Sequence, residues 1–264
     1  MATKVKTKKK KVNKTTVKPK IIVIAVAVCV LIAIIISIIS LVPNHPKAEI
    51  YNFNKKKAQG VDVSEHNGEI DWAALSKEFD FAFVRVGYRG YGENGVIAED
   101  KYARKNLEEA NKAGIPVGVY FYSQATTEKE AQKEASFAIK IAKKYKIDLP
   151  IMMDFEYPCD SNGNQVGRLA DAELTADDNA KIINAFFDII EDKGYSFGLY
   201  ASSSVLHNRI SMNKLDNDAV IWAADYNSKV TFDVDYTVWQ YSEKGKSKAV
   251  SSKYVDLNYW FSNK

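Results

Sequence analysis

The amino-acid sequence predicts an α/β protein: an irregular TIM-like (β/α) barrel of eight strands with fewer helices, placed after an N-terminal transmembrane helix. Three observations lead to this prediction. From residue 59 onward, short runs rich in β-branched and aromatic residues alternate with longer amphipathic segments, a pattern typical of parallel sheets. Eight such runs occur within about 200 residues, which favours closure into a small barrel. Before them, residues 21–42 form a continuous apolar stretch.

The chain begins with a basic segment followed by an uncharged one. Residues 1–20 contain nine lysines and no acidic residue, and residues 21–42 contain no charged residue. At ~1.5 Å per residue, a helix over the second segment spans roughly 33 Å, enough to cross a bilayer core. The apolar region of a signal peptide is shorter, about 7–15 residues, and a buried core helix rarely lacks a polar face.

We therefore predict a basic cytoplasmic tail over residues 1–20 and a single transmembrane helix over residues 21–42. By the positive-inside rule, the protein lies in the cell membrane with everything after Pro43 outside the cell. Cleavage after export, near residue 48, is the alternative that the sequence leaves open.

The formal net charge of +4 comes from the lysine tail. Residues 21–264 carry 28 basic and 33 acidic side chains, so the outer part lacks the basic face that nucleic-acid binding requires. Cys159 is the only cysteine after the apolar stretch, so it cannot form an internal disulfide. His45, His66 and His207 are scattered and show no zinc-ligand spacing. We therefore expect no nucleic-acid partner, no cofactor, no metal, and a monomeric outer domain.

Residues 43–58 are typical of a linker because they contain two prolines and a triple lysine, and the predicted domain covers residues 59–264. Thr175 and Gly114 are residue types that begin and end helices. The connections between the last strands are too short for full helices, so we expect antiparallel pairing there. The predicted strands cover 60–64, 81–87, 116–123, 150–156, 197–202, 219–225, 236–242 and 253–260, and the predicted helices cover 71–79, 99–114, 127–146 and 175–194.

Acidic residues fall in or at the ends of several predicted strands. Asp62 lies in the first strand, Asp154 and Glu156 close the fourth, Asp225 ends the sixth, and Asp256 lies in the eighth. Chemistry in such barrels takes place where the strands end. Residues two apart in a strand point to the same face, so Asp154 and Glu156 should project together. The first and last strands are neighbours in a closed barrel, so Asp62 and Asp256 should also approach one another.

Neighbouring carboxylates resist ionising together, so one of them keeps its proton and serves as an acid near neutral pH. Paired carboxylates without metal ligands are the groups that glycoside hydrolysis requires. The simpler interpretation is that acids at strand ends are solvated caps or ion-pair partners. Composition and spacing alone leave both interpretations open.

Six motifs occur in order along the outer part of the chain: GVDVSEHNGEIDW (60–72), FVRVGY (83–88), PVGVYFY (116–122), MMDFE (152–156), GLYAS (198–202) and WQYS…VDLNYW (239–260). Together they resemble the family-25 glycoside hydrolases, the Chalaropsis-type lysozymes, over residues 59–264. The resemblance implies a flattened, irregular β/α barrel. It also implies cleavage of the β-1,4 bond between N-acetylmuramic acid and N-acetylglucosamine in peptidoglycan.

The resemblance assigns roles to four acids. Glu156, in DFE, matches the general acid that protonates the leaving oxygen, and Asp154 matches the partner that holds the sugar's N-acetyl group or tunes Glu156. Asp62 and Asp256 match the flanking acids that shape the field and bind substrate. Asp225, in ADY, falls at a variable place in the family's pattern and is ranked lower.

The resemblance also implies substrate-binding residues: Arg85, Tyr120, Tyr122, Tyr200 and Tyr226. Packing in the core is the simpler interpretation for the tyrosines. Arg85 could contact substrate or pair with Asp62. Trp239 and Tyr241 share a strand face and are open to both interpretations.

The expected function is therefore a membrane-anchored peptidoglycan hydrolase, and we favour a retaining reaction assisted by the substrate's N-acetyl group. One alternative is a catalytically silent peptidoglycan-binding or scaffold protein at the cell surface, although no acid of the motif set is missing. A second is a chitinase-like barrel. Its DxxDxDxE motif would require aspartates where Leu149 and Met152 stand.

Overall fold

Nine strands and six α-helices follow one another in residues 50–262, the part of the chain that the computed structural model describes. The strands are β1 (Lys57–Val63), β2 (Phe81–Arg89), β3 (Ile97–Glu99), β4 (Val117–Ser123), β5 (Ile151–Phe155), β6 (Phe197–Ser202), β7 (Val220–Ala224), β8 (Val238–Gly245) and β9 (Val255–Phe261). The helices are α1 (Trp72–Glu78), α2 (Ala103–Ala113), α3 (Glu128–Ala142), α4 (Arg168–Asp171), α5 (Ala176–Glu191) and α6 (Ser203–Arg209), with 3₁₀ turns at Glu65–Asn67 and Met212–Lys214.

Eight of these strands close into a barrel, which confirms the predicted barrel of eight strands. The sheet runs β1-β9-β8-β7-β6-β5-β4-β2-β3, and β1 also pairs with β2 to close the circle. The parallel pairs are β1–β2, β2–β4, β4–β5, β5–β6, β6–β7 and β7–β8. The last strand, β9, runs antiparallel to both β8 and β1. The antiparallel pairing expected at the end of the chain is therefore present.

The ninth strand, β3, was not predicted. It pairs antiparallel with the end of β2 and contains only three residues, too few to show a period-two pattern. It lies where the second helix was predicted to begin, so that helix starts at Ala103 instead of residue 99. The short helices α4 and α6 were also missed, because four and seven residues give little helical periodicity.

The four predicted helices are present as α1, α2, α3 and α5, and the start of α5 and the end of α2 have the capping that the sequence predicts. The Thr175 hydroxyl accepts a hydrogen bond from the Asp178 amide at the start of α5. Thr127 caps α3 in the same way through the Glu130 amide. Gly114 follows α2 with φ 72°, a left-handed conformation that glycine adopts without a Cβ clash.

Alternation along the strands separates two apolar layers. Outward residues of the sheet pack against the helices, and inward residues fill the barrel. Inside the barrel, Phe83 stacks on Trp222 with ring centroids 4.6 Å apart. Gly118 faces Phe83 from the neighbouring strand, and a Cβ there would lie 2.3 Å from the ring. The lower barrel is therefore a packed core.

The lower end of the barrel includes residues that the sequence assigned to the linker. Phe53 is 8% exposed, and its ring lies 5.5 Å from Phe81 and 5.7 Å from Trp260 between centroids. β1 begins at Lys57. The linker prediction for residues 43–58 is therefore wrong for its last part, because an aromatic ring there is buried against the barrel.

The predicted tail, the predicted transmembrane helix and residues 43–49 lie outside the described residues. Within residues 50–262, no helix is long and apolar enough to cross a membrane.

Candidate active site

A cleft of about 500 Å³ opens at the upper end of the barrel, where the parallel strands end. All nine residues that the sequence predicted for the site line it: Asp62, Arg85, Tyr120, Tyr122, Asp154, Glu156, Tyr200, Tyr226 and Asp256. A larger cavity of about 690 Å³ lies where β7 and β8 begin and contains none of them. The structure thus gathers residues from seven separate sequence segments at one place.

Strand parity brings Asp154 and Glu156 to the mouth. Met152 and Asp154 point into the barrel from β5, and Glu156 follows immediately after the strand. Asp154 is 6% exposed. Among the described residues, its Oδ1 is one of few buried side-chain oxygens without a hydrogen-bond partner. A buried acceptor of this kind is available to a donor on a ligand.

Asp62 and Asp256 lie directly opposite each other in the antiparallel pair of β1 and β9. The last strand runs downward, so Asp256 reaches the mouth from the beginning of its strand, not from the end as in the parallel strands. The Asp62 Oδ2 accepts hydrogen bonds from Gln240 Nε2 at 2.9 Å and from Asn258 Nδ2 at 2.8 Å. The predicted approach of the two aspartates is present.

The orientation of Asn258 follows from its other neighbour. The Trp222 indole Nε1 can only donate, and it donates to Asn258 Oδ1 at 2.8 Å. The Asn258 amide nitrogen must therefore face Asp62. Two N–H donors on one oxygen favour the ionised form of Asp62 and oppose the effect of its burial, which raises its pKa. Burial and the neighbouring Asp62 raise the pKa of Asp256 to about 8, so at neutral pH Asp256 holds the proton that the pair shares.

Burial also raises the pKa of both acids at the end of β5. For Asp154, the charges of Glu156 and Asp62 raise the pKa further. The pKa of Glu156 is raised first by burial and also by the charge of Asp62, whereas the Tyr200 hydroxyl acts in the opposite direction and lowers it. The pKa of Asp256, raised to about 8, leaves a protonated carboxyl group at the mouth near neutral pH, and the raised pKa values of Asp154 and Glu156 favour the protonated form that a general acid requires.

The tyrosines combine packing with polar contacts. Tyr120 and Tyr200 are almost fully buried and pack edge-on against Trp222, as a core role would require, yet both also line the cleft. The Tyr200 and Tyr226 hydroxyls donate to Gln240 Oε1 at 2.9 and 2.8 Å. Burial raises the pKa of Tyr122 and of Tyr226 above the usual range, so both stay neutral.

Arg85 points into the cleft from β2 but is paired elsewhere than predicted. Its Nε donates to Asp100 Oδ2 at 2.8 Å, and one terminal nitrogen donates to Glu65 Oε1 at 3.2 Å. Asp100 is 1% exposed and holds the guanidinium at the rim. The alternative pair of Arg85 with Asp62 is therefore wrong, because the guanidinium is paired with Asp100 and Glu65 on the adjacent loops.

Asp225 serves the loop that follows β7 and does not line the main cleft. It accepts hydrogen bonds from Ser203, Asn227 and Thr231. Burial opposes its ionisation, but these hydrogen bonds hold the pKa of Asp225 well below its usual range. A second cavity of about 300 Å³ lies beside this loop. It adjoins the cleft, because Glu156, Tyr200 and Tyr226 line both spaces.

Sequence reasoning missed Gln240, Asn258 and Trp222 as site residues. Each lies inward on its strand, and Asn258 is two residues from Asp256, so strand parity could have found it. Trp239 and Tyr241, by contrast, point out of the barrel. Trp239 donates to the Asp225 carbonyl oxygen, and Tyr241 stacks on Tyr259 with centroids 4.2 Å apart.

His66 lines the cleft, and Cys159 is exposed on the loop after β5. In residues 50–262, no three histidine, cysteine or acidic side chains are arranged to bind a metal ion.

A barrel with paired carboxyl groups at its mouth is the arrangement of glycoside hydrolases. The family model described as "Glycosyl hydrolases family 25" matches residues 61–250, which is more than half of the chain. The chain therefore belongs to glycosyl hydrolases family 25.

Solved structures agree with this assignment. The modular autolysin LytC from Streptococcus pneumoniae is 31% identical, with a TM-score of 0.65 over 78% of this chain and 47% of that chain. This chain thus spans about half the length of LytC. A family 25 glycosyl hydrolase from Bacillus anthracis is 26% identical, with a TM-score of 0.62 over 83% of this chain and 95% of that one.

A bacterial lysozyme from Streptomyces coelicolor, 23% identical over 78% of this chain and 92% of its own, shares the fold with a TM-score of 0.62. No curated protein matches the sequence.

Proposed function

We propose that this protein is a lysozyme that cleaves the β-1,4 bond between N-acetylmuramic acid and N-acetylglucosamine in peptidoglycan. The observation that carries the proposal is the pair at the end of β5. Glu156 is half-buried at the cleft with a raised pKa, and Asp154 beside it keeps one oxygen without a partner. The family assignment supports this chemistry. A structure of LytC in complex with a synthetic peptidoglycan ligand also supports it, and that LytC chain is 29% identical to this chain over the matched region.

In the proposed reaction, the protonated Glu156 donates its proton to the glycosidic oxygen as the bond from that oxygen to the anomeric carbon breaks. The free Oδ1 of Asp154 accepts a hydrogen bond from the N–H of the substrate's acetamido group. The acetamido oxygen then bonds to the anomeric carbon. Water displaces it while the Glu156 carboxylate takes the water's proton, which gives net retention of configuration.

The other acids provide the field for this reaction. Ionised Asp62 stabilises the positive charge that develops at the anomeric carbon. Neutral Asp256 keeps its own proton and donates it in a hydrogen bond to Asp62. The charge of Arg85 is largely balanced by Asp100. The second space beside Glu156 provides room for the leaving part of the glycan strand, so the strand can occupy both sides of the bond to be cleaved.

Replacement of the general acid tests the proposal. Glu156→Gln in the full-length chain should reduce the release of reducing sugar from purified peptidoglycan by about 10²–10⁴-fold, the usual contribution of general acid catalysis. Glu108→Gln is the matched control, because Glu108 is exposed on α2 and contacts only a surface lysine. Undiminished release by Glu156→Gln would contradict the assignment. Binding of peptidoglycan by the wild-type chain without any turnover would favour the silent binding protein instead.

We further propose that residues 21–42 anchor the enzyme in the cell membrane with the barrel outside, which suits local opening of the wall more than wholesale lysis. The uncharged stretch after a lysine-rich tail supports this. In cell fractions, the full-length chain should stay with the membrane after alkaline extraction. Active enzyme found only in the medium would contradict the anchor.

A further inference from the structure

The strand pairing around Glu156 ends just before this residue. Between β4 and β5, the register ends at the pair of Ser123 and Phe155. Between β5 and β6, it ends at the pair of Asp154 and Tyr200. The direction of a side chain depends on the main chain that carries it, so the position of the Glu156 carboxyl group depends on what holds the main chain beyond the paired part of the sheet.

Gln124 continues the pairing by one residue through its side chain. It follows β4 directly and is fully buried. Its Nε2 donates to the Glu156 carbonyl oxygen at 2.7 Å and to the Ser123 carbonyl oxygen at 2.9 Å. One amide group thus joins the main chains of the two segments immediately after their backbone register ends.

The orientation of this amide is fixed by its two acceptors. A side-chain amide nitrogen carries two N–H donors and carbonyl oxygens only accept, so the Gln124 nitrogen must face both of them. Within residues 50–262, the Gln124 Oε1 is buried and receives no hydrogen bond. A buried acceptor without a donor is unfavourable, and a methionine would fill a similar volume without one. Packing alone therefore does not account for a glutamine at this position.

Arg168 binds the main chain of the same glutamine. Its two terminal nitrogens donate to the Gln124 carbonyl oxygen at 3.1 Å and to Glu130 Oε1 at 2.9 Å. Its backbone N–H donates to the Tyr91 carbonyl oxygen at 3.1 Å. Arg168 is the first residue of α4, so it directly follows the loop of residues 156–167, which begins at Glu156. Both ends of this loop are therefore hydrogen-bonded to Gln124.

We infer that Gln124 is a positioning residue that holds the main chain of Glu156, so that the Glu156 carboxyl group stays at the cleft beside Asp154. Gln124 does not line the cleft, so it acts through Glu156 and not on the substrate. Its importance for catalysis rests on the proposed function, whereas the restraint on the main chain does not. A general acid must lie within hydrogen-bond reach of the leaving oxygen, so loss of the restraint should slow the chemical step.

Kinetics of Gln124→Met in the full-length chain provide the first test. Methionine removes both N–H donors and keeps a side chain of similar length. We expect kcat on soluble peptidoglycan fragments to fall about 10–100-fold, as a small displacement of a catalytic group causes, and KM to stay within about two-fold of wild type. A raised KM with unchanged kcat, or no change in either constant, would overturn the inference.

Two further variants complete the kinetic test. Gln132→Met is the matched control, because Gln132 is exposed on α3 and the same replacement there should leave both constants unchanged. Gln124→Asn keeps the amide on a side chain one methylene shorter, which should lose the contact with the Glu156 carbonyl oxygen. It should therefore lower kcat in the same way, and it carries the test if methionine prevents folding. A wild-type kcat in Gln124→Asn would overturn the inference.

A purely structural role predicts a different result. Circular dichroism at the assay temperature gives the folded fraction of each variant. We expect kcat per folded molecule to fall in the Gln124 variants. A loss of activity that only equals the loss of folded protein would overturn the inference.

Hydrogen exchange measured by mass spectrometry gives a readout that does not require activity. In the loop of residues 156–167, the Asp160 and Val166 amides donate to carbonyl oxygens of the same loop. In Gln124→Met, peptides from this loop should exchange about two- to ten-fold faster, the factor that one protein hydrogen bond provides, whereas peptides from α5 should be unchanged. Equal exchange of the loop in the variant and the wild type would overturn the inference.

This inference and the proposed function can fail separately. If exchange of the loop accelerates as expected but the wild-type chain releases no sugar, the proposed function fails and the restraint on Glu156 stands. If Glu156→Gln abolishes release while Gln124→Met keeps the wild-type kcat, only this inference fails.

Discussion

Asp62 and Asp256 face each other across two strands, and their surroundings make them unequal. Asp62 receives two amide N–H donors, whereas Asp256 is half-buried beside the charge of Asp62. One therefore carries the charge and the other the proton. Functional sites often retain such unfavourable burial, because the perturbed groups are the ones that the chemistry uses.

Replacement of Asp256 should stabilise the protein at high pH. A free aspartate titrates near ~3.9, whereas the pKa of Asp256 is raised to about 8 in the folded state. Between these values the folded state binds a proton that the unfolded state has lost, so this group reduces stability as pH rises from about 4 to 8. In Asp256→Asn, the side-chain amide N–H replaces the carboxyl O–H as a hydrogen-bond donor to Asp62. We expect its Tm to exceed that of wild type by about 2–4 °C at pH 8, as 1 kcal/mol produces in a domain of this size, and by little at pH 4.

The control for this measurement is Asp225→Asn, where the sign is opposite. The pKa of Asp225 is held well below its usual range, so its contribution to stability is present above about pH 4 and is lost as pH falls further. This variant should be less stable than wild type at pH 8, and the difference should shrink below pH 4. Thermal unfolding followed by circular dichroism would record both curves. Parallel curves for Asp256→Asn and wild type would contradict the raised pKa.

At the scale of elements, α3 is attached to the barrel by a buried ion pair. Arg89 at the end of β2 donates from Nε to Glu134 Oε1 at 2.5 Å, and the Ser123 hydroxyl of β4 donates to the other oxygen at 2.6 Å. Burial raises the pKa of Glu134 to about 7, against the effect of these hydrogen bonds. The neighbouring Gln124 donates from Nε2 to the Glu156 carbonyl oxygen at 2.7 Å. The contact between helix and sheet thus lies directly behind Glu156.

Removal of one partner of this pair should be strongly destabilising. Arg89→Leu leaves Glu134 buried without its cation, and breaking a buried pair in this way costs about 3–5 kcal/mol. Arg104→Leu is the matched control, because its pair with Glu99 is exposed and worth about 0–1 kcal/mol. Urea unfolding of the two variants measures the difference. Equal losses of stability would show that burial of the Arg89 pair has no energetic consequence.

At the scale of the whole molecule, the barrel closes through an antiparallel last strand and is sealed below by a residue that precedes β1. The ring of Phe53 covers the lower core at Phe81 and Trp260. With the lower end covered, inward polar side chains of the barrel meet solvent at the upper end, where the cleft lies. The covered lower end and the open cleft at the upper end are therefore two consequences of how the barrel closes.

Loss of this seal should be measurable. Phe53→Ala removes a nearly buried ring from the lower core and should reduce the free energy of unfolding by about 2–4 kcal/mol, somewhat less than a fully buried phenylalanine. Ile50→Ala is the control, because Ile50 is 49% exposed and should change stability by less than about 0.5 kcal/mol. If both variants unfold at the same urea concentration as wild type, the lower core does not depend on Phe53.

The sequence by itself determined the features that depend on local pattern. The alternation of strands and helices, the inward side of each strand and the gathering of four acids at one end follow from periods of two and 3.6 residues and from the rule that parallel strands end at one rim. The caps at Thr127, Thr175 and Gly114 are local in the same sense, since each involves neighbouring residues only.

Only the tertiary structure decided which distant groups meet. The partners of Arg85, the burial of Phe53 and the outward position of Trp239 depend on how separate segments pack, and no local period encodes that. The division of charge between Asp62 and Asp256 depends on Trp222, Gln240 and Asn258, which lie on β7, β8 and β9. A pKa responds to burial and to hydrogen-bond donors within a few ångströms, so the protonation of the site is set by the closed barrel and not by any single motif.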